Sequence, residues 1–222
     1  MTASDVAVTR PLRRDAQRNR ERILAAAHEV FATRGFAATL DDVAHHAGVG
    51  VGTVYRRFPT KEALIEAAFA DRLGEVVAVA EQAADAPSAW DGLVEMLTRV
   101  TALHATDRGL RDAVLSLDKH HFAGVEQRLR TLVEGLAERA KAEGTLRPDF
   151  AATDLPMILN MISEVARTCG GERPDAYGRY LRLIIDGLRA GSACTPLGEP
   201  LTSDDVAAAM TACVPPTEGR RQ

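Results

Sequence analysis

Apolar residues recur along this chain at intervals of three and four, and no stretch alternates them as a strand would, so the pattern predicts an all-α fold. A first helix is predicted over about 15–33, with Ile23, Leu24, Ala27, Val30 and Phe31 on one face and Arg18, Arg20 and Arg22 outside. Two short helices follow across a tight turn. Thr39 can cap the first, with Asp42 completing a capping box and Leu40, Val43 and Ala44 on the buried side. Gly48 breaks it, Val51, Val54, Tyr55 and Phe58 fall at helical spacing in the second, and Pro59 stops that one. From Thr60 an amphipathic helix with Leu64, Ile65, Ala68, Phe69 and Leu73 runs to the low-complexity AADAPS. Further helices are predicted at about 88–105, 107–119, 122–143, 152–169 and 174–190, between polar or Gly/Pro breaks.

The ends carry less pattern. Residues 1–14, with Arg10, Arg13 and Arg14, read as a flexible basic arm, either touching DNA or idle. Residues 15–61 form the reading unit and 62–194 a helical body. Within 195–222, TPLGEPLTS reads as a linker, DDVAAAMTACV has the spacing of a short closing helix, and PPTEGRRQ reads as a loose tail.

The stretch TLDDVAHHAGVGVGTVYRRFPTK carries the chemistry. A small Ala44, a turn at Gly48 and an anchoring Val54 let two helices meet closely, which is the requirement of a helix-turn-helix. Gly52 allows close backbone approach, while Thr53, Arg56 and Arg57 project away from the Val54/Phe58 anchor. Arginine can bridge guanine O6 and N7, so Arg56, then Arg57, is the expected base-reader. Val51 could touch a thymine methyl, but its place on the apolar stripe favours packing.

AGVGVGTVYRRFPTKEALI, preceded by RERILAAAHEVFATRGFAATLDDVA, resembles the TetR family of bacterial transcription regulators over about residues 15–70. The RILxAAxxxFxxxGF, TxxxVAxxAGV and GTxYxxFxxKEAL patterns carry the likeness. It implies that Thr39, Tyr55 and Lys61 hold phosphates, that the fourth helix couples ligand to DNA, and that the eighth faces a ligand cavity on one side and a second subunit on the other. Gly50 and Val51 depart from the family, where a hydroxyl residue and a lysine or glutamine often stand. The operator therefore cannot be read from relatives.

Charge agrees with a DNA-binding end. Residues 1–61 hold 10 Lys/Arg against 6 Asp/Glu, so with −4 overall the remainder carries −8. Three separated cysteines, Cys169, Cys194 and Cys213, suggest neither a disulfide framework nor a zinc site. With no signal-like or membrane-spanning run, a cytoplasmic protein is expected. The pairs His45/His46 and His120/His121 point in different directions on a helix, and His28/Glu29 lacks the second histidine of HExxH, so no metal or other cofactor is expected.

In the body, the run DLPMILNMISEVARTC is apolar nearly all round and predicts burial on two sides. The stripe Tyr177, Leu181, Ile184, Ile185 and Leu188 suits pairing with a second copy, giving a homodimer through the last two long helices. Residues marking candidate small-molecule contacts are Trp90, Met96, His104, Arg111, His120, Met157, Asn160, Met161 and Glu164, each weighed against an ordinary core role. The expected function is a ligand-responsive repressor that binds a pseudo-palindromic double-stranded DNA operator as a dimer and is released by a small-molecule effector. The rivals are a DNA-binding regulator without a ligand and a helical enzyme. The chain offers the enzyme no Gly-rich phosphate loop and no G-x-S-x-G elbow.

Overall fold

A computed structural model describes residues 4–116, 122–169, 173, 175–191 and 194–213. The chain folds as α1 (Ser4–Arg34), a 3-10 turn (Gly35–Ala37), α2 (Leu40–Ala47), α3 (Val51–Arg57), α4 (Lys61–Ala84) and α5 (Ala89–Thr106). It continues with α6 (Arg108–Leu115), α7 (Ala123–Ala142), α8 (Asp154–Cys169), α9 (Tyr177–Leu188) and α10 (Ser203–Cys213). Among the described residues the only extended pairing is a single bridge between Leu146 and Arg189. No described helix is long and apolar enough to cross a membrane.

The helix starts follow local chemistry. Thr39 accepts from the Asp42 N–H at 3.1 Å, and Asp42 accepts in return from the Thr39 N–H at 2.8 Å. Thr60, Ser88 and Asp107 accept from Ala63, Asp91 and Leu110 in the same way. Asp107 serves twice, since its own N–H closes α5 on the Leu103 carbonyl. Gly48 ends α2 at φ 63°, in the left-handed region that favours glycine.

The first helix departs from expectation. It begins at Ser4, so most of the segment expected as an irregular arm is a helical extension. The run LRRDAQRNRER has no apolar stripe, but strong helix formers dominate it and extend a helix already nucleated further along.

α4 joins two packed regions. Its first half meets α1 and α6, and further along it packs on α5 and α7. Phe31, Phe36 and Phe69 are buried at the junction, with ring centroids 5.6 to 6.3 Å apart. Gly109 of α6 makes the closest approach. A Cβ there would lie 2.4 Å from Phe69 Cζ and 2.9 Å from the Phe31 backbone.

α8 and α9 pack as a pair, and here the stripe assigned to a second copy needs correction. Leu181, Ile185 and Leu188 are buried against the chain's own body. The apolar residues left outside are Met161 on α8 with Tyr180 and Leu183 on α9, at 52%, 45% and 59% exposure. Periodicity locates a stripe without saying which partner covers it, and α9 carries apolar residues on both sides. Residues 195–202 run exposed and irregular, and α10 then returns to bury Val206 and Met210. The tail at 214–222 lies outside the described residues.

Candidate nucleic-acid interface and internal cavity

The two short helices meet through fully buried Val43, Ala44 and Val54. Arg22 of α1 steadies the turn between them, donating to the Ala47 carbonyl at 2.7 Å and the Gly48 carbonyl at 3.2 Å. These carbonyls end α2, where a cation is favoured. Sequence reading placed Arg22 merely outside, because its partners lie 25 and 26 residues away.

α3 presents Val51, Gly52, Tyr55, Arg56 and Arg57 outward, with Thr53 half-buried. Neither arginine is hydrogen-bonded or ion-paired to another described residue, so both guanidinium groups are free for an external anion or base edge. A Cβ at Gly52 would meet nothing within 4 Å, so the glycine leaves this face flat. Val51 is 42% exposed, which overturns the expectation that it packs inside. The buried side of a seven-residue helix is narrow, and Val54 and Phe58 fill it.

Two residues matched to phosphate contacts are already engaged. Thr39 spends both its N–H and its hydroxyl on Asp42 Oδ2, each at 2.8 Å. This, with Arg34 at 2.9 Å, holds the Asp42 carboxyl down to about 2. The half-buried Lys61 ammonium donates to the Phe36 carbonyl, and burial lowers its pKa. Lys61 thus ties the start of α4 to the turn after α1.

Asp112 of α6 takes the other side of that turn, accepting from the Phe36 N–H at 2.9 Å. Burial raises its pKa, against the pull of the Phe36 N–H and of Arg111, Arg108 and Lys61. Gly35 is pinned beside it at φ 62°, and a Cβ there would come within 2.4 Å of Asp112 Oδ2. One turn of chain therefore bonds to both α4 and α6.

Further from the reading helices, a cavity of about 200 Å³ lies between α4, α5, α6, α7, α8 and α10. Val76, Ala80, Leu97, Val100, Val133 and Leu159 give it apolar walls. Val206, Ala207 and Met210 of α10 close one side. Glu126 and Arg130, paired to each other, stand at one end, where Arg130 also donates to the Ser203 hydroxyl at 3.1 Å.

Of the residues marked from sequence, Met96 and His104 line this cavity. Trp90 lies elsewhere, under the Arg189 guanidinium at 4.5 Å from the ring centroid. Arg111, Asn160 and Glu164 form their own cluster, with Arg111 Nη2 donating to Asn160 Oδ1 at 3.1 Å and lying 3.8 Å from Glu164 Oε2. Met157 is half-buried against the core, Met161 faces outward, and His120 lies outside the described residues. The contribution of α10 was missed, since no local signal tells a closing helix what it closes. His104 is 4% exposed; burial, with Arg111 adding to it, pushes its pKa down to about 4.

Two family models match the chain: bacterial regulatory proteins of the tetR family over residues 23–68, and the C-terminal domain of SbtR-like transcriptional regulators over residues 87–190. A TetR transcriptional regulator of known structure from Streptomyces coelicolor is 32% identical, with 78% of this chain and 99% of that one covered and a TM-score of 0.50. The chain belongs to the TetR family. It is thus a transcriptional regulator with a helix-turn-helix DNA-binding end. The regulator UidR of Escherichia coli K12 is 26% identical over 80% of this chain and 96% of its own. FadR of Bacillus subtilis, solved in complex with stearoyl-CoA, is 17% identical and shares the fold, with a TM-score of 0.57 over 76% of this chain and 98% of its own. In this TetR-family chain α10 lies beyond both matched segments.

Proposed function

We propose that this TetR-family regulator is a ligand-responsive repressor acting as a homodimer. Each protomer would place α3 in the major groove of one half of a pseudo-palindromic operator. Arg56 and Arg57 would read bases there, Tyr55 would hold phosphate, and Val51 would meet a thymine methyl. The exposed apolar trio Met161, Tyr180 and Leu183, on the neighbouring helices α8 and α9, supports a twofold interface on that side of the body.

The observation that carries the ligand-responsive part is the course of α4. Val76 and Ala80 are cavity wall, while Lys61 at the start of the same helix holds the Phe36 carbonyl. A molecule in the cavity that favours one setting of α4 would therefore shift the spacing of the two reading helices. The shift is bounded by its differential affinity for the two settings. The complex of FadR with stearoyl-CoA supports a ligand site within this fold.

The test is fluorescence anisotropy of the protein on DNA from upstream of its own gene against a scrambled duplex, at two salt concentrations. Preferential binding that weakens with salt is expected, as is reciprocal antagonism by any compound that binds the body. A compound that binds the cavity and leaves operator affinity unchanged removes the ligand-responsive part.

A further inference from the structure

His104 is the one buried polar side chain in the cavity wall that lacks a full set of partners among the described residues. Its Nδ1 lies 3.3 Å from the Ser163 hydroxyl oxygen, while its Nε2 is buried with no hydrogen-bond partner among the described residues. The state of the ring can be read from the serine. Ser163 Oγ lies 2.7 Å from the Leu159 carbonyl, which can only accept, so the single hydroxyl proton belongs on that shorter line. The serine oxygen must then accept from Nδ1–H. A neutral imidazole protonated at Nδ1 keeps a bare lone pair on Nε2.

The surroundings restrict what can meet that lone pair. The walls are apolar, and the charged residues of the lining, Glu126, Arg130 and Glu134, all come from α7. Glu126 and Arg130 already neutralise each other there. Arg111 lies close enough to act on His104, which opposes a cation, and an anion would find no donor on Nε2. Resting on the ligand-responsive reading above, we propose that the cavity takes a compact, uncharged, mainly apolar molecule carrying a hydrogen-bond donor, a hydroxyl or an N–H, which it gives to Nε2 of His104. Ser163 acts as the positioning residue, fixing which ring nitrogen is the acceptor.

The probes are para-cresol, its methyl ether and toluene, three molecules of similar shape that differ in the donor. Each is titrated calorimetrically into the full-length protein and into two variants. On the unaltered protein, para-cresol is expected to bind about tenfold tighter than the ether or toluene, the usual effect of one buried hydrogen bond. His104→Phe should bring the three within about twofold of one another. Ser163→Ala leaves the ring in place but frees its tautomer, so it should reduce the cresol advantage several-fold while toluene binding holds. Equal binding of ether and phenol to the unaltered protein overturns the donor assignment and leaves the cavity as a ligand site. An advantage that survives both variants does the same. If none of the three binds a protein that still binds its operator, the proposal of a compact apolar donor falls, while the ligand-responsive reading is decided separately by whether a compound bound in the body changes operator affinity.

Discussion

In the reading unit, α2 and α3 bury Val43, Ala44 and Val54 completely and turn Tyr55, Arg56 and Arg57 outward, whereas the body encloses Thr101, His104, Arg111 and Asp112 among its helices and leaves a hollow between them. The first region is dense and works by its outer surface. The second is hollow and works by its interior. A closely packed unit presents fixed side chains to a repeating target such as DNA. An interior with a cavity and incompletely paired polar groups is one that a bound molecule can stabilise selectively. The difference assigns recognition to one end, response to the other, and the link to α4, α6 and the turn at Phe36.

The strongest way to break this division is to damage DNA binding from the body. Leu183 is 59% exposed on α9, Tyr180 of the same helix is 45% exposed, and Met161 of the adjoining α8 is exposed as well. Leu183→Asp should yield a monomer in sedimentation velocity and weaken operator binding by about 100-fold or more, since one half-site contact no longer concentrates the other. Unchanged affinity in a monomeric variant would mean that a single reading unit suffices.

Next comes the seam between the regions. Gly109→Val would drive new atoms into Phe69 and the Phe31 backbone, with no room on either side. Urea unfolding should show a loss of about 3 kcal/mol, at the upper end for overpacking, because the obstruction is partly backbone. A loss below about 1 kcal/mol would show that α6 can slide on α1, and the two regions would then be joined more loosely than their contacts suggest.

A third test separates the interiors by pH. His104 has its folded pKa depressed to about 4 from an ordinary 6.5, so below 6.5 the unfolded chain takes up a proton that the folded chain refuses. Its contribution is fully present above 6.5 and is lost as pH falls toward about 4, on the order of 2–3 kcal/mol over that window. Comparing chemical unfolding of the unaltered protein and His104→Phe at several pH values should show a flatter profile in the variant. Identical slopes would mean that the histidine charges without disturbing the body.

The same contrast explains what could be read from the chain. The reading unit was legible almost to the residue, because its caps, its Gly48 turn and its Val54 anchor are set by neighbours three or four positions away. The helices of the body were legible for the same reason. Their mutual arrangement was not. The cavity brings Val76 together with Met210, and Arg130 with Ser203, and no local period encodes such meetings. The one stripe read on α9 was assigned to a second copy, and only packing shows that its Leu181 and Ile185 face inward while Leu183 faces out. The tie of Lys61 to the Phe36 carbonyl was missed for a related reason, since that partner lies 25 residues back.

Within the reading unit, a smaller effect distinguishes base-reading from phosphate-holding. Arg56→Ala removes a free guanidinium from α3 and should cost about 2 kcal/mol of operator affinity while relaxing preference at one base pair. Competition binding against operators changed one base pair at a time measures this. A uniform loss at every position, with a shallower salt dependence, would move Arg56 to the phosphates.

Thr39→Ala has the smallest expected effect and bears on whether the reading unit also contains purely architectural residues. Both donors of Thr39 are committed to the Asp42 carboxylate, and its hydroxyl oxygen accepts from the Asp42 N–H. A residue so engaged can hold phosphate only by giving up the cap. If it is architectural, the alanine variant loses about 1 kcal/mol of stability by urea unfolding, while operator affinity and its salt slope stay unchanged well below the melt. If Thr39 also holds a phosphate, affinity falls as well and does so equally on all sequences, because a backbone contact carries no base information. The capped geometry favours the first outcome: the family motif then keeps a threonine here to start α2 at the right place, and contact with DNA is left to α3.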